Sequence, residues 1–452
     1  MQTYLDNADK ELLANKLKQL FALGQDNTNI YNALLQVQDL FNSFDIKINY
    51  EAKEIKEVKD ILLIQIDHMG DAVLSSAFIR ELRCNYPKAN IEIIVAKDWA
   101  HLMNRCPYVN KVISVDTTNG LNVIDVINFC SNNLWDIQYD LAINLNWEYN
   151  SAALLINFFS AAINRIGYPS NTFEMYCSDL YYDREMYKRR RELDKFFYTY
   201  MVINPFDMVD EVERKLWILS SMNLKIKSNK TEVWFNDEDA DYVKQFINSK
   251  KRNIILGLGG RSLNTRYSVG KLALSLVNNK IDNENNCYCV IGTNDTTAKG
   301  NVFSEYKMKT DYEEPEGELL VQALNDKKIE AVNVINKTTL PQLCALISLS
   351  DMYIGNDTGP MHIANALNKS IIVISREAVE KENDHPGYLS SYARFLKNLN
   401  NAIVLRPEYC LDSCLESPCY GGCSAEVPHC INSVTPDEIS NTIKQIINKK
   451  NL

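Results

Sequence analysis

The sequence predicts an α/β protein: two Rossmann-like domains, each built on a parallel sheet, preceded by a helical extension. Three observations predict it. Short apolar runs without polar alternation recur, among them DILLIQI (60–66), IEIIVA (91–96) and DLAINL (140–145), as expected of central parallel strands covered on both faces. The same strand–turn–helix order restarts at NIILG (253–257). At 452 residues the chain is too long for one core of ordinary size. The expected divisions are a helical extension over 1–57, an N-terminal Rossmann-like domain over 58–200, a connector over 201–250 and a C-terminal Rossmann-like domain over 251–452.

Taken in order, Leu12, Leu13, Leu17, Leu20 and Phe21, then Ile30, Leu34, Leu35, Val37, Leu40 and Phe41, stand at helical spacing around a break at 24–27. They predict a helical hairpin whose apolar face packs on the first domain or on a neighbouring subunit. After the strand at 60–66 come a loop, Asp67 to Gly70, and a helix, Asp71 to Asn85. Further strands are expected at 91–96, 112–115 and 140–145. From Tyr181 to Arg191 the chain is rich in Tyr, Arg and Lys, either a solvated helix face or a basic lip for an anionic acceptor. In the second domain a glycine-rich turn (257–261) precedes a helix near Ser268. Strands follow at 287–291 and 332–335, then a helix from Leu340 to Ser348 capped by Thr338 or Thr339.

The stretch YIGNDTGPMHIANALNKSIIVIS (353–375) centres this domain. A strand ends in a turn, Gly355 to Pro360, then a helix and another strand follow. Asp357 and Thr358 are able to cap the helix, Gly359 permits close backbone approach, and His362 stands in the first turn. That composition suits an anionic ligand at a helix N-terminus, although a capped turn of any α/β protein has the same residues.

The formal net charge of −10 excludes a general nucleic-acid binder, which needs a basic surface. No run of about twenty apolar residues is present to span a bilayer. The first ten residues have no apolar segment of a secretory signal, so a cytoplasmic protein is expected, with peripheral docking at a membrane open through the Lys188–Arg191 run. Seven of the twelve cysteines (Cys84, Cys106, Cys130, Cys177, Cys287, Cys289, Cys344) are scattered and expected to be buried thiols. The other five, Cys410, Cys414, Cys419, Cys423 and Cys430, cluster with His429. A structural zinc or iron, disulfides, or free thiols remain open for them.

The 353–375 stretch resembles the nucleotide-sugar signature of glycosyltransferase family 9, the heptosyltransferase-like enzymes. A second stretch, Ile64 to Leu74 (IQIDHMGDAVL), resembles the family's strand–loop–helix near the start of its catalytic core. The resemblance runs from about Lys59 to the C-terminus. It implies the GT-B fold, with two facing Rossmann-like domains, the donor held by the C-terminal one and the acceptor by the N-terminal one. It implies an inverting transfer without metal, of a sugar (heptose) from a nucleotide diphosphate (ADP) to a lipopolysaccharide-type glycolipid or a protein.

Carried over by position, Asp71 of the Met-Gly-Asp triplet is the general base that deprotonates the attacking hydroxyl. Met69 and Gly70 lie on the acceptor side. Helix capping by Asp71 is the plain alternative, and Asp67 is a competing base. Asp357 would contact sugar hydroxyls; the backbone at Thr358, Gly359 and Met361, with His362 and Arg266, would face the diphosphate; Asp295 stands near the ribose position. Two departures stand out. Arg266-Tyr267-Ser268 replaces a basic residue followed by Trp-Pro, and Ser375-Arg376-Glu377-Ala378 replaces a Phe-Gly-Pro-Thr-like turn. Certain protein-modifying relatives hold iron in a comparable cysteine segment. The rival readings are a non-catalytic nucleotide-sugar-binding or assembly protein and a GT-B nucleotide-sugar epimerase. Association of copies through the N-terminal helices also stays open.

Overall fold

The computed structural model describes residues 5–22, 27–46, 50–146, 150–169, 194–203, 205, 208–259, 265–278, 281–292, 316–379, 390–409 and 429–450. The chain forms two compact units, the first running to Met208 and taking in Val212–Asn229, the second running on from Lys230.

The first unit opens with α1 (Asn7–Ala22) and α2 (Asn27–Asn42). Their apolar face is covered by the same chain. Leu13, Leu17 and Phe21 of α1 and Val37 and Phe41 of α2 are buried in one cluster with Trp135 and Phe159. Phe41 meets the Trp135 ring edge-on at 6.2 Å, and Phe21 meets Phe159 likewise at 5.9 Å. Burying such rings contributes about 2–3 kcal/mol each, which is reason enough for the hairpin to stay on this unit.

Next come β1 (Asp60–Gln65), α3 (Met69–Leu74), α4 (Ser76–Asn85), β2 (Asn90–Ala96), α5 (Ala100–Met103), β3 (Lys111–Val115), α6 (Val123–Asn133), β4 (Leu141–Asn144), α7 (Ser151–Phe159), β5 (Asn164–Gly167), β6 (Tyr200–Met201) and α8 (Glu211–Ser221). The sheet order is β3-β2-β1-β4-β5-β6, with every pair parallel. β1 is buried from Ile61 onward because helices cover both faces, which is why its sequence shows no alternation. The helix expected from Asp71 to Asn85 is interrupted. It starts two residues earlier, at Met69, and breaks at Ser75, whose hydroxyl bonds the Asp71 carbonyl at 2.7 Å and Gln65 Oε1 at 3.0 Å.

The second unit holds α9 (Asp237–Val243), β7 (Arg252–Gly257), α10 (Val269–Leu276), β8 (Asn286–Ile291), α11 (Glu316–Asp326), β9 (Ala331–Asn333), α12 (Leu340–Leu349), β10 (Met352–Asn356), α13 (Gly359–Ala366), β11 (Ser370–Ile374), β12 (Ala402–Leu405), α14 (His429–Asn432) and α15 (Pro436–Lys450). Its order, β9-β8-β7-β10-β11-β12, repeats that of the first sheet, again all parallel. Thr339 caps α12 in a reciprocal box with Gln342. The strand expected at 332–335 starts one residue earlier, at Ala331, and ends at Asn333, whose side chain accepts the Ile335 N–H and turns the chain.

Both sheets therefore reverse direction between their first and fourth strands. Open α/β sheets bind ligands outside the C-terminal strand ends at such switch points. In the first sheet that point lies between β1 and β4, in the second between β7 and β10. Among the described residues no helix is long and apolar enough to cross a membrane.

Candidate functional site

The turn after β1 carries Asp67, His68, Met69, Gly70 and Asp71. His68 occupies the N-cap position of α3 in an extended conformation, without a side-chain cap bond. Asp71 is the third residue of the helix, so it does not cap it. Its carboxylate is half-buried and has no hydrogen bond or ion pair among the described residues. Asp67 differs: Asn150 Nδ2 donates to its Oδ1 at 2.9 Å. Met69 and Gly70, expected in the loop, form the first helical turn beneath Asp71.

Under this turn lies a polar layer that sequence reading missed. Lys215 of α8 is 2% exposed, and its ammonium donates to the Leu145 carbonyl at 3.1 Å and to Gln65 Oε1 at 3.4 Å. Ser75 donates to the same Gln65 oxygen. Lysines are almost never fully buried without a counter-charge, and no carboxylate pairs with this one among the described residues. A signal was present in the sequence. Lys215 shares the helical stripe of Ile218, Leu219 and Met222, an apolar face with one cation in it.

The second switch point is built differently. Gly257 and Gly355 are register partners on β7 and β10. A Cβ on Gly257 would collide with the Tyr353 hydroxyl, and one on Gly355 would stand 2.5 Å from the Gly257 carbonyl oxygen. Both positions demand glycine because the Tyr353 ring is folded against the strand ends, where burial pushes its phenol pKa up. Asn356 then fastens the neighbouring chain. Its Nδ2 donates to the carbonyls of Leu258 (3.1 Å) and Gly259 (3.0 Å), and its Oδ1 accepts the Tyr267 N–H at 3.3 Å. Arg266, half-buried, is thereby held one residue from the Asp357 turn. Tyr267, standing where a tryptophan was expected from the family pattern, is 6% exposed and donates its hydroxyl to the Val434 carbonyl.

The expected capping is absent. Thr358 has the extended backbone of an N-cap, but its side chain makes no cap bond and reaches back to the Asn356 carbonyl at 3.4 Å. Asp357 Oδ2 instead accepts a 2.6 Å hydrogen bond from Ser391. The Met361 N–H closes a turn on the Thr358 carbonyl, and Pro360 has no N–H, so Thr358 and Gly359 offer the backbone donors that lead α13. His362 is 5% exposed and edge-on to Phe395, with ring centroids 5.8 Å apart.

The structure thus gathers Asp357, Thr358, Gly359, Met361, His362 and Arg266 at one switch point, and Asp71, Met69 and Gly70 at the other. Asp295 lies outside the described residues, as do Cys410, Cys414, Cys419, Cys423 and the Tyr181–Arg191 run. Cys430 is half-buried in α14. Among the described residues no group of three or more His, Cys, Asp or Glu side chains is placed to hold a metal. Of the scattered cysteines, Cys106, Cys130, Cys287, Cys289 and Cys344 are buried as expected, Cys84 is exposed, and Cys177 lies outside the described residues.

Comparison with known proteins follows the same lines. The family model described as glycosyltransferase family 9 (heptosyltransferase) matches residues 309–388, which include the Asp357 turn. The lipooligosaccharide heptosyltransferase 2 of Haemophilus influenzae is 24% identical over 332 residues, covering 70% of this chain and 82% of that protein. The crystal structure of a family 9 glycosyltransferase from Veillonella parvula superposes with a TM-score of 0.64 at 14% identity, over 88% of this chain and 100% of that one. The Escherichia coli ADP-heptose lipopolysaccharide heptosyltransferase II gives a TM-score of 0.55 at 18% identity, over 87% and 100%. The chain is thus a glycosyltransferase of the GT-B fold, similar to the heptosyltransferases of glycosyltransferase family 9.

Proposed function

We propose that the protein transfers a heptose from an ADP-linked donor to a lipopolysaccharide-type glycolipid. The observation that carries this reading is the Asp357 turn, which lies at a switch point and inside the stretch matched by the family model. The similarity to heptosyltransferases supports the choice of sugar and acceptor.

In this reading Asp71 takes the proton of the attacking acceptor hydroxyl as the bond to the anomeric carbon forms. The unengaged state of its carboxylate suits that task. A direct attack opposite the leaving group inverts the anomeric centre. The departing diphosphate is met by the N–H groups of Thr358 and Gly359 at the head of α13, by Arg266 and by His362, which together replace a metal ion. Asp357 holds sugar hydroxyls, and Asp295 is assigned to the ribose. Met69 and Gly70 shape the acceptor side. The reaction runs at the cytoplasmic face, where its acceptor is reached by peripheral docking. The cysteine cluster, with Cys430 its described member, is assigned a structural zinc or iron, and elemental analysis of the purified chain tests it.

Binding across ADP-, UDP-, GDP- and dTDP-sugars tests the donor. An ADP-sugar preference that survives EDTA is expected. A UDP- or GDP-sugar preference contradicts the donor assignment, and loss of transfer with EDTA in a chain that keeps its fold contradicts the metal-free chemistry. NMR of the product gives the anomeric configuration, and retention would contradict the single displacement. Transfer to a protein in place of a heptose-deficient glycolipid would move the acceptor assignment.

A further inference from the structure

The segment 390–396 touches the donor turn twice. Ser391 Oγ donates to Asp357 Oδ2 at 2.6 Å, a charge-assisted bond of the short kind, and the Phe395 ring stands edge-on against His362. The two contacts come from residues four apart: Ser391, the N-cap of a π-helical turn, Tyr392–Leu396, and Phe395 within it. Such turns are rare and concentrate at functional sites.

This turn is fastened from several sides. Glu377, in the loop after β11, accepts the hydroxyl of Ser390 and, at 3.0 Å, the N–H of Tyr392. Ser390 Oγ in turn accepts the Ala393 N–H at 3.0 Å. Arg406, just past β12, donates to the carbonyls of Glu377 and Ala378, each at 3.0 Å, and its guanidinium lies over the Tyr392 ring at 4.0 Å. Glu377 and Arg406 are both largely buried, with side chains 14% and 6% exposed. The loop after β11, where this chain departs from the family pattern, therefore clamps the turn that reaches Asp357.

We propose that Ser391 is a positioning residue for donor recognition. It fixes the rotamer of Asp357 by engaging one carboxylate oxygen, and the Glu377-clamped turn thereby sets how tightly the sugar of the donor, as opposed to its nucleotide, is held. A carboxylate already held in its binding geometry loses less freedom when a ligand arrives. The proposal rests on reading Asp357 as a contact to sugar hydroxyls.

Calorimetric titration of the full chain with ADP-heptose and with ADP tests it. Ser391→Ala is expected to weaken ADP-heptose binding about tenfold, the scale of one hydrogen bond to a charged group, while ADP affinity changes by less than about twofold. Ser391→Thr, which keeps the hydroxyl, is expected to restore ADP-heptose binding. Glu377→Ala repeats the selective loss by releasing the turn, and Glu377→Gln, which keeps an acceptor for the Tyr392 N–H, largely avoids it. Equal weakening of ADP and ADP-heptose, or no weakening at all, overturns the proposal while leaving the donor assignment standing. A wild-type chain that binds ADP but not ADP-heptose overturns the donor assignment, and this proposal with it. A loss in Ser391→Ala that Ser391→Thr fails to restore marks a merely structural role and also overturns it.

Discussion

The two switch points share one topology and differ in nearly everything else. Both lie where strand order reverses, between β1 and β4 in the first sheet and between β7 and β10 in the second. The first is floored by a buried ammonium, Lys215, and by Gln65 and Ser75 bonded around it, and its carboxylate, Asp71, accepts no hydrogen bond among the described residues. The second is floored by Tyr353 beneath two glycines, and its carboxylate, Asp357, is held by Ser391. A carboxylate that must take a proton is best left without donors, since each donor stabilises its charged form. A carboxylate that must read sugar hydroxyls gains from being fixed. In the proposed reading the two sides of an equivalent switch point serve different ends: proton transfer after β1 in one unit and recognition after β10, the counterpart of β4, in the other.

Substitutions that break this contrast order themselves by size. Asp71→Asn keeps the shape of the turn but removes the proton acceptor. Turnover is expected to fall about a hundred- to ten-thousand-fold, measured as sugar transfer at saturating donor. Gly355→Ala acts on the floor of the second site. The added Cβ meets the Gly257 backbone, which is held in the sheet and has no flexible end to move away. A loss of about 1–3 kcal/mol in chemical unfolding is expected.

Ser75→Ala acts on the floor of the first site. Gln65 Oε1 then keeps only Lys215 as a donor, and a loss of about 1 kcal/mol is expected by the same measurement. The smallest effect lies at the opposite, N-terminal edge of the second sheet. Glu330 accepts from Asn248 at 2.8 Å and pairs with Lys251 at 3.0 Å. The Asn248 hydrogen bond is the main cause that holds its carboxyl below the usual glutamate value, with Lys251 adding to it. A depressed folded pKa gives stability that is present above the unfolded value of 4.5 and is lost as pH falls through the folded value. Glu330→Gln should therefore cost well under ~1 kcal/mol of stability at neutral pH for so exposed a pair, seen as a slight fall in melting temperature. The difference should vanish in acid, where glutamic acid and glutamine are alike.

Much of the scaffold was legible because its cause is local. Runs such as Ile61–Ile64 and Met352–Ile354 are apolar throughout since both faces of the sheet are covered, and that needs no knowledge of partners. Caps were legible only in part. Thr339 with Gln342 does what its spacing suggests, yet Thr358, with an equally good local sequence, leaves the helix uncapped, and the neighbouring Asp357 bonds Ser391, 34 residues away. The interruption at Ser75 arises in the same way, from a hydroxyl that reaches Gln65 on the preceding strand. Lys215 was visible as a cation in an apolar stripe, but only the fold shows that it lies beneath the Asp71 turn. Ser391 carried no local signal, because its role is set entirely by what the Glu377 clamp places next to it.

The division of labour between the two carboxylates is tested most directly by donor affinity in the matched variants Asp71→Asn and Asp357→Asn. Titration with ADP-heptose should leave Asp71→Asn close to the wild-type affinity and weaken Asp357→Asn by about tenfold or more. Equal affinity in the two variants, or a loss confined to Asp71→Asn, would contradict the assignment of recognition to the second switch point and proton transfer to the first.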